Sequence, residues 1–148
     1  MRSSRPGHLP TMRRSPWSSA ATALAGVLVL VAVAGCGSSQ DGDVRGVADA
    51  FYAAIGSDDG GTACAALAPN TRRELQQSAK APCPRAILSE EVPAADGAAA
   101  VQVFGTMAQV RYADDTVFLS RFRFGWRVLA AACVPQAHGP YDCRIKGG

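Results

Sequence analysis

An uncharged apolar run, Ala20 to Ala34, stops at Gly35-Cys36 and decides which part of the chain has a core to build. Ahead of it lie Arg2, Arg5, Arg13 and Arg14 and no acidic residue. A basic segment, a short hydrophobic segment and small residues before a break describe a secretory signal peptide. A membrane-spanning helix needs about 20 apolar residues, and the fifteen here fall short of that. Residues 1–35 are therefore expected to be removed. The folded part is expected to run from Cys36 to Gly148, a length that suits one domain outside the cytoplasm.

The tetrapeptide Val33-Ala34-Gly35-Cys36 resembles the bacterial lipobox, an aliphatic residue and two small ones before a cysteine. The resemblance implies diacylglycerol on the Cys36 thiol, cleavage ahead of it and a further acyl chain on the new amine. Each buried CH₂ contributes about 0.8 kcal/mol, and two or more chains make attachment stable. The expected location is the extracytoplasmic face of the cell membrane, with membrane lipid the first partner through Cys36. Met12 precedes Arg13-Arg14, so a start at Met12 would keep a complete signal. Ser15-Pro16-Trp17 after the two arginines departs from a twin-arginine signal and favours the general secretory route.

Removing the signal changes the charge. The full chain carries 15 Lys+Arg against 12 Asp+Glu. All the acidic residues but only eleven of the basic ones follow Cys36, which leaves a net charge of −1. The basic character that would suggest nucleic acid disappears, and nucleic acid is not an expected partner. Five cysteines are present. With Cys36 acylated, Cys64, Cys83, Cys133 and Cys143 form an even set in an exported chain, where disulfides persist. Four cysteines allow three connectivities; the sequential pairing, Cys64–Cys83 and Cys133–Cys143, is expected. A metal centre is not expected, because there is no C-x-x-C and His138 is the one imidazole after Cys36. No cofactor is expected either.

Residues 36–42 read as a flexible tether and 43–148 as a single α+β domain. Val44, Val47, Ala48, Phe51, Tyr52 and Ile55 follow helical spacing on one face, with Asp41 or Asp43 to cap the start and Gly56 to end it. A short helical turn around Cys64 stops before Pro69. Thr71-Arg72-Arg73-Glu74 matches a capping box and predicts a helix from about Arg72 to Ala79. Pro84 opens another through Ile87 and Leu88 to Glu90. From Ala100 the period becomes two: strands are expected at Ala100–Phe104, Met107–Tyr112, Thr116–Arg123 and Trp126–Cys133, joined by short turns. The architecture expected is N-terminal helices packed on a curved four-stranded antiparallel sheet.

Phe51-Tyr52-Ala53-Ala54, the Thr62–Pro69 stretch around Cys64, Gly125-Trp126-Arg127-Val128 and Pro140-Tyr141-Asp142-Cys143 stand behind the lipobox in a familiar order. Over residues 36–148 the chain resembles small actinobacterial lipoproteins of unknown function with a nuclear-transport-factor-two-like or cystatin-like roll. That resemblance implies the roll and the anchor. It brings no activity and no catalytic residue.

The residues that could do chemistry are sparse. His138 sits in a Gly/Pro-rich tail and reads as an exposed loop residue. Asp114-Asp115 reads as a hairpin tip, and Glu90-Glu91 as a solvated helix end. Arg121, Arg123 and Arg127 share parity and could form a basic patch. Phe122 and Phe124 read as core packing, and Tyr52 as a half-buried packing residue. No catalytic activity is expected. The leading reading is a membrane-anchored, non-catalytic binding or accessory domain with an envelope protein as a further partner. The alternatives are a carrier with a dry cavity lined by Phe51, Ile55, Val103, Phe118 and Trp126, and a pocket enzyme on the same roll.

Overall fold

Helix α1, Ser38–Gly56, is the longest element of the domain and the one against which the sheet curves. The computed structural model describes residues 38–95, 97 and 99–147; the signal segment and Cys36 lie outside the described residues. Among the described residues no helix is long and apolar enough to cross a membrane. α1 begins inside the segment expected as tether, with Asp41 in its first turn, where a carboxylate complements the positive end of the helix dipole. Its apolar stripe is buried as the spacing demands: Val44, Ala48, Phe51 and Tyr52 are in the core, with Val47 and Ile55 packed beside them.

The end of α1 is set two residues beyond Gly56. Asp58 takes the left-handed conformation at φ 57°. Its N–H bonds the Ile55 carbonyl at 3.0 Å, and the Asp59 N–H bonds the Ala54 carbonyl at 2.8 Å. This is the Schellman pattern, with aspartate where glycine is commonest. Asp59 then caps α2 (Gly60–Ala66) through the Thr62 N–H at 3.0 Å, which holds the Asp59 carboxyl below its ordinary pKa.

Helix α3 spans Pro69–Ala79, three residues earlier than the capping box predicts. Pro69 has a φ already suited to the first helical position and needs no N–H there. Thr71 is thereby drawn inside the helix, fully buried, and donates its hydroxyl to the Leu129 carbonyl at 2.9 Å. Helix α4, Cys83–Ser89, follows with Pro84 in its first turn. A disulfide joins Cys64 in α2 to Cys83. The two helices meet closely at Gly60, where a Cβ would lie 2.1 Å from the Pro84 carbonyl oxygen.

The sheet is an antiparallel meander in the order β1-β2-β3-β4-β5: Ala100–Phe104, Met107–Arg111, Thr116–Phe122, Gly125–Val134 and Asp142–Ile145. The expected count of four strands is too low. β5 pairs with β4 through Ala131↔Ile145, Cys133↔Cys143 and Val134↔Asp142, and the second disulfide joins Cys133 to Cys143. Four residues are too few to show a period, and the strand is held by that bridge and by the buried Ile145. Ala108, Val110, Val117, Leu119, Trp126 and Val128 are all in the core cluster shared with α1. The register of β3 on β4 slips twice, between Thr116 and Phe118 and between Phe118 and Leu119. Both slips add a residue to β4, and bulges of this kind bend a strand.

Candidate functional site

The bulge in β4 sets the local chemistry. Ala132 sits there at φ 52°, a left-handed conformation unusual for a residue with a Cβ. A bulge takes backbone groups out of the ladder, and two such N–H groups find side-chain partners here. Cys133 N–H donates to Asp115 Oδ1 at 2.8 Å, and Ala132 N–H donates to the Tyr52 hydroxyl oxygen at 3.4 Å. The Tyr52 hydroxyl in turn donates to Asp115 Oδ2. Asp115, expected at an exposed hairpin tip, is 7 % exposed. Its own carbonyl accepts the Tyr112 N–H at 2.8 Å, which closes the β2–β3 turn. Tyr52 comes from the last two turns of α1, so the clasp fixes helix, turn and bulge together.

A second arm runs outward. Tyr112 meets Tyr52 edge to face, with ring centroids 5.4 Å apart. Its hydroxyl donates to Asp49 Oδ1 at 2.6 Å, and Asp49 Oδ2 accepts Arg45 Nε at 3.0 Å. Arg45 also reaches the carbonyls of Ala99 and Gly97, each at 3.4 Å, and so ties the segment ahead of β1 to α1. Arg45, Asp49, Tyr52 and Tyr112 border an open cleft of about 400 Å³ together with Ala94 and Ala95.

Burial raises the pKa of both phenols, and the neighbouring carboxylate raises each further: Asp115 for Tyr52, Asp49 for Tyr112. Both therefore stay protonated and act as donors, not as bases. Every buried side-chain polar atom among the described residues has a partner. General acid–base catalysis needs a group poised near the working pH within reach of substrate, and neither phenol is so poised. The arrangement holds backbone in place. Among the described residues no group of His, Cys, Asp and Glu could hold a metal ion.

The remaining expected residues are scattered. His138 is exposed in the loop before β5. Glu90 ends α4, Glu91 follows in a left-handed conformation, and the pair shares no site. Asp114 is exposed at its turn. Arg121 and Arg127 lie on opposite faces of the sheet: Arg121 stands opposite Trp126, and Arg127 opposite Ser120. Arg123-Phe124 is a two-residue turn between the partners Phe122 and Gly125, so facing partners have opposite parity and the shared parity of the arginines separates them.

Phe122 and Phe124 are not core. They stack on each other at 5.3 Å, and Phe124 is 50 % exposed. The five residues named for a carrier cavity do not share one. Phe51 is buried under the helical face of the sheet, while Phe118 lies on the other face against Tyr141, ring centroids 5.0 Å apart. Compared with protein-family models, curated proteins and solved structures, the chain matches none.

Proposed function

We propose that the chain is the precursor of a lipid-anchored protein of the extracytoplasmic membrane face. Its residues 1–35 direct export, Cys36 carries the acyl chains, and the α+β domain works as a non-catalytic binding or accessory module for an envelope partner. One observation carries this reading. Of five cysteines, four are bonded to each other inside the domain, and the one left over is the cysteine that ends the lipobox. Disulfides fit a compartment outside the cytoplasm, and an odd cysteine in an exported chain calls for its own explanation. The clasp supports the non-catalytic half, because its one buried carboxylate is already committed to Tyr52 and to backbone. Helices on one side of a sheet bent by two bulges also suit a cystatin-like roll.

The test is the mass and partition of the mature protein. A chain beginning at Cys36, with the added mass of diacylglycerol and a fatty acyl group, should enter the detergent phase. A mature chain that remains in the aqueous phase with an unmodified Cys36 refutes the reading.

A further inference from the structure

The β1–β2 and β3–β4 turns lie at one end of the sheet, and that end carries most of the large apolar side chains left in water. Phe104 is 63 % exposed, Met107 43 % and Phe124 50 %. The register makes them neighbours: Phe104 stands opposite Met107, Met107 opposite Ser120, and Ser120 opposite Arg127, one row across the outer face. Phe122, two residues on from Ser120, is diagonal to Met107 and stacks on Phe124. Diagonal neighbours in an antiparallel pair are within reach of aromatic side chains. A clustered apolar patch of this kind marks a surface that meets a partner or a membrane.

Cations surround it. The Arg127 guanidinium lies 5.0 Å from the Phe124 ring centre, and Arg123 is exposed beside that ring. Arg121, on the helix side, donates to Gln40 at 3.4 Å. Among the described residues none of the three is ion-paired. Asp41 and Asp43 lie on the neighbouring turn of α1, so the end is basic by a single charge and carries its cations on the hairpin.

The start of α1 is at this same end. Gln40 and Asp41 border a cleft with Gly105 of the first turn, and Gly42 and Asp43 border another with Gly125 of the second. Cys36 is two residues from Ser38. Two residues span at most about 7 Å. Acyl chains on Cys36 would therefore hold the start of α1 within about 7 Å of their point of attachment.

We propose that the two hairpin tips are a membrane-contacting end, seated in the headgroup layer of an anionic bilayer. Phe104, Met107 and Phe124 enter the interface, and Arg123 and Arg127 meet lipid phosphates. The proposal rests on the lipid-anchor reading above and adds to it an orientation. Aromatic side chains favour the membrane–water interface, arginines beside an apolar face favour anionic lipid, and a surface this close to an anchor has no need of high intrinsic affinity.

The test uses the acylated mature protein in vesicles of phosphatidylethanolamine and phosphatidylglycerol that carry brominated acyl chains. Tryptophan is placed at the tip (Phe124→Trp) or at the β2–β3 turn at the opposite end (Ala113→Trp). Both positions are exposed, so neither change touches the core. Read as the difference from the parent, whose buried Trp126 emits in both variants, the expected result is a blue shift and strong quenching for Phe124→Trp, with neither for Ala113→Trp. Equal behaviour of the two overturns the orientation and leaves the anchor intact. An unquenched Phe124→Trp in acylated, vesicle-bound protein also overturns it, and makes the patch a face for another protein. A Cys36 without acyl mass overturns both readings.

Discussion

Replacing Asp115 by alanine tests the clasp most directly. The change removes the acceptor of two buried donors at once, the Tyr52 hydroxyl and the Cys133 N–H. Each buried donor left unsatisfied costs about 1–3 kcal/mol, so Asp115→Ala should cost about 4 kcal/mol. For a domain of this size total stability is about 5–15 kcal/mol, so the loss is a large fraction of it. Tyr52→Phe should cost about 2 kcal/mol, because it strands the Ala132 N–H and leaves Asp115 with one partner. The two losses should not add. Once Asp115 is gone the Tyr52 hydroxyl has lost its acceptor, so removing it then costs only the bond it accepts from the Ala132 N–H. The double variant should therefore show a coupling of about 1–3 kcal/mol. Urea unfolding with disulfides intact, followed by circular dichroism, supplies all four corners of the cycle. Additivity within about 0.5 kcal/mol, or an Asp115→Ala cost under about 1 kcal/mol, would refute the claim that these groups hold the bulge.

Three further outcomes are expected. Both buried tyrosines have pKa values raised above the unfolded value of about 10; their stabilisation is complete below that pH and is lost as pH rises past it, while the unfolded phenols ionise first. Urea midpoints measured across the alkaline range should fall from about pH 10, and Tyr52→Phe should flatten the fall. Gly60→Ala forces a Cβ into the Pro84 carbonyl and should cost about 1–3 kcal/mol, read as a lower thermal midpoint. Replacing either cystine by a serine pair should cost about 3 kcal/mol by the chain-entropy relation for separations of 19 and 10. Paired urea titrations of the two variants check the figure.

The sequence makes plain those elements whose burial is one-sided and local. Val44 through Ile55 keep one face at the helical period over three turns, so α1 is legible, and the twofold alternation after Ala100 marks β1 to β4 to within about two residues. The misreadings have physical causes. Thr71 offered a capping box, but Pro69 lay two residues upstream and started the helix first. The segment Gly37–Gly42 looked like a linker by composition, yet most of it is the first turn of a helix whose later turns are packed. β5 is too short to carry a pattern. Asp115 is the most instructive case. An aspartate beside a hairpin turn is commonly exposed, and its burial here depends on an extra residue in β4, seventeen positions away at Ala132. No local pattern encodes that register. The one available signal was Tyr52, an aromatic with a polar tip on the buried face of α1, where a hydroxyl has to find a partner.

α1 also decides how the domain carries load. Nineteen residues make a rod about 28 Å long, continuous from the first described residue to the clasp and beyond it. A pull on the N-terminus enters along this rod and leaves the ends of the strands untouched. It meets the apolar stripe from Val44 to Ile55 in shear, with Tyr52 locked to Asp115 partway along. In that geometry many contacts resist together, whereas a strand tugged from its end would open one hydrogen bond after another. Because Tyr52 ties this helix to the β2–β3 turn through Asp115, a load along α1 reaches the sheet through the clasp as well as through the apolar stripe.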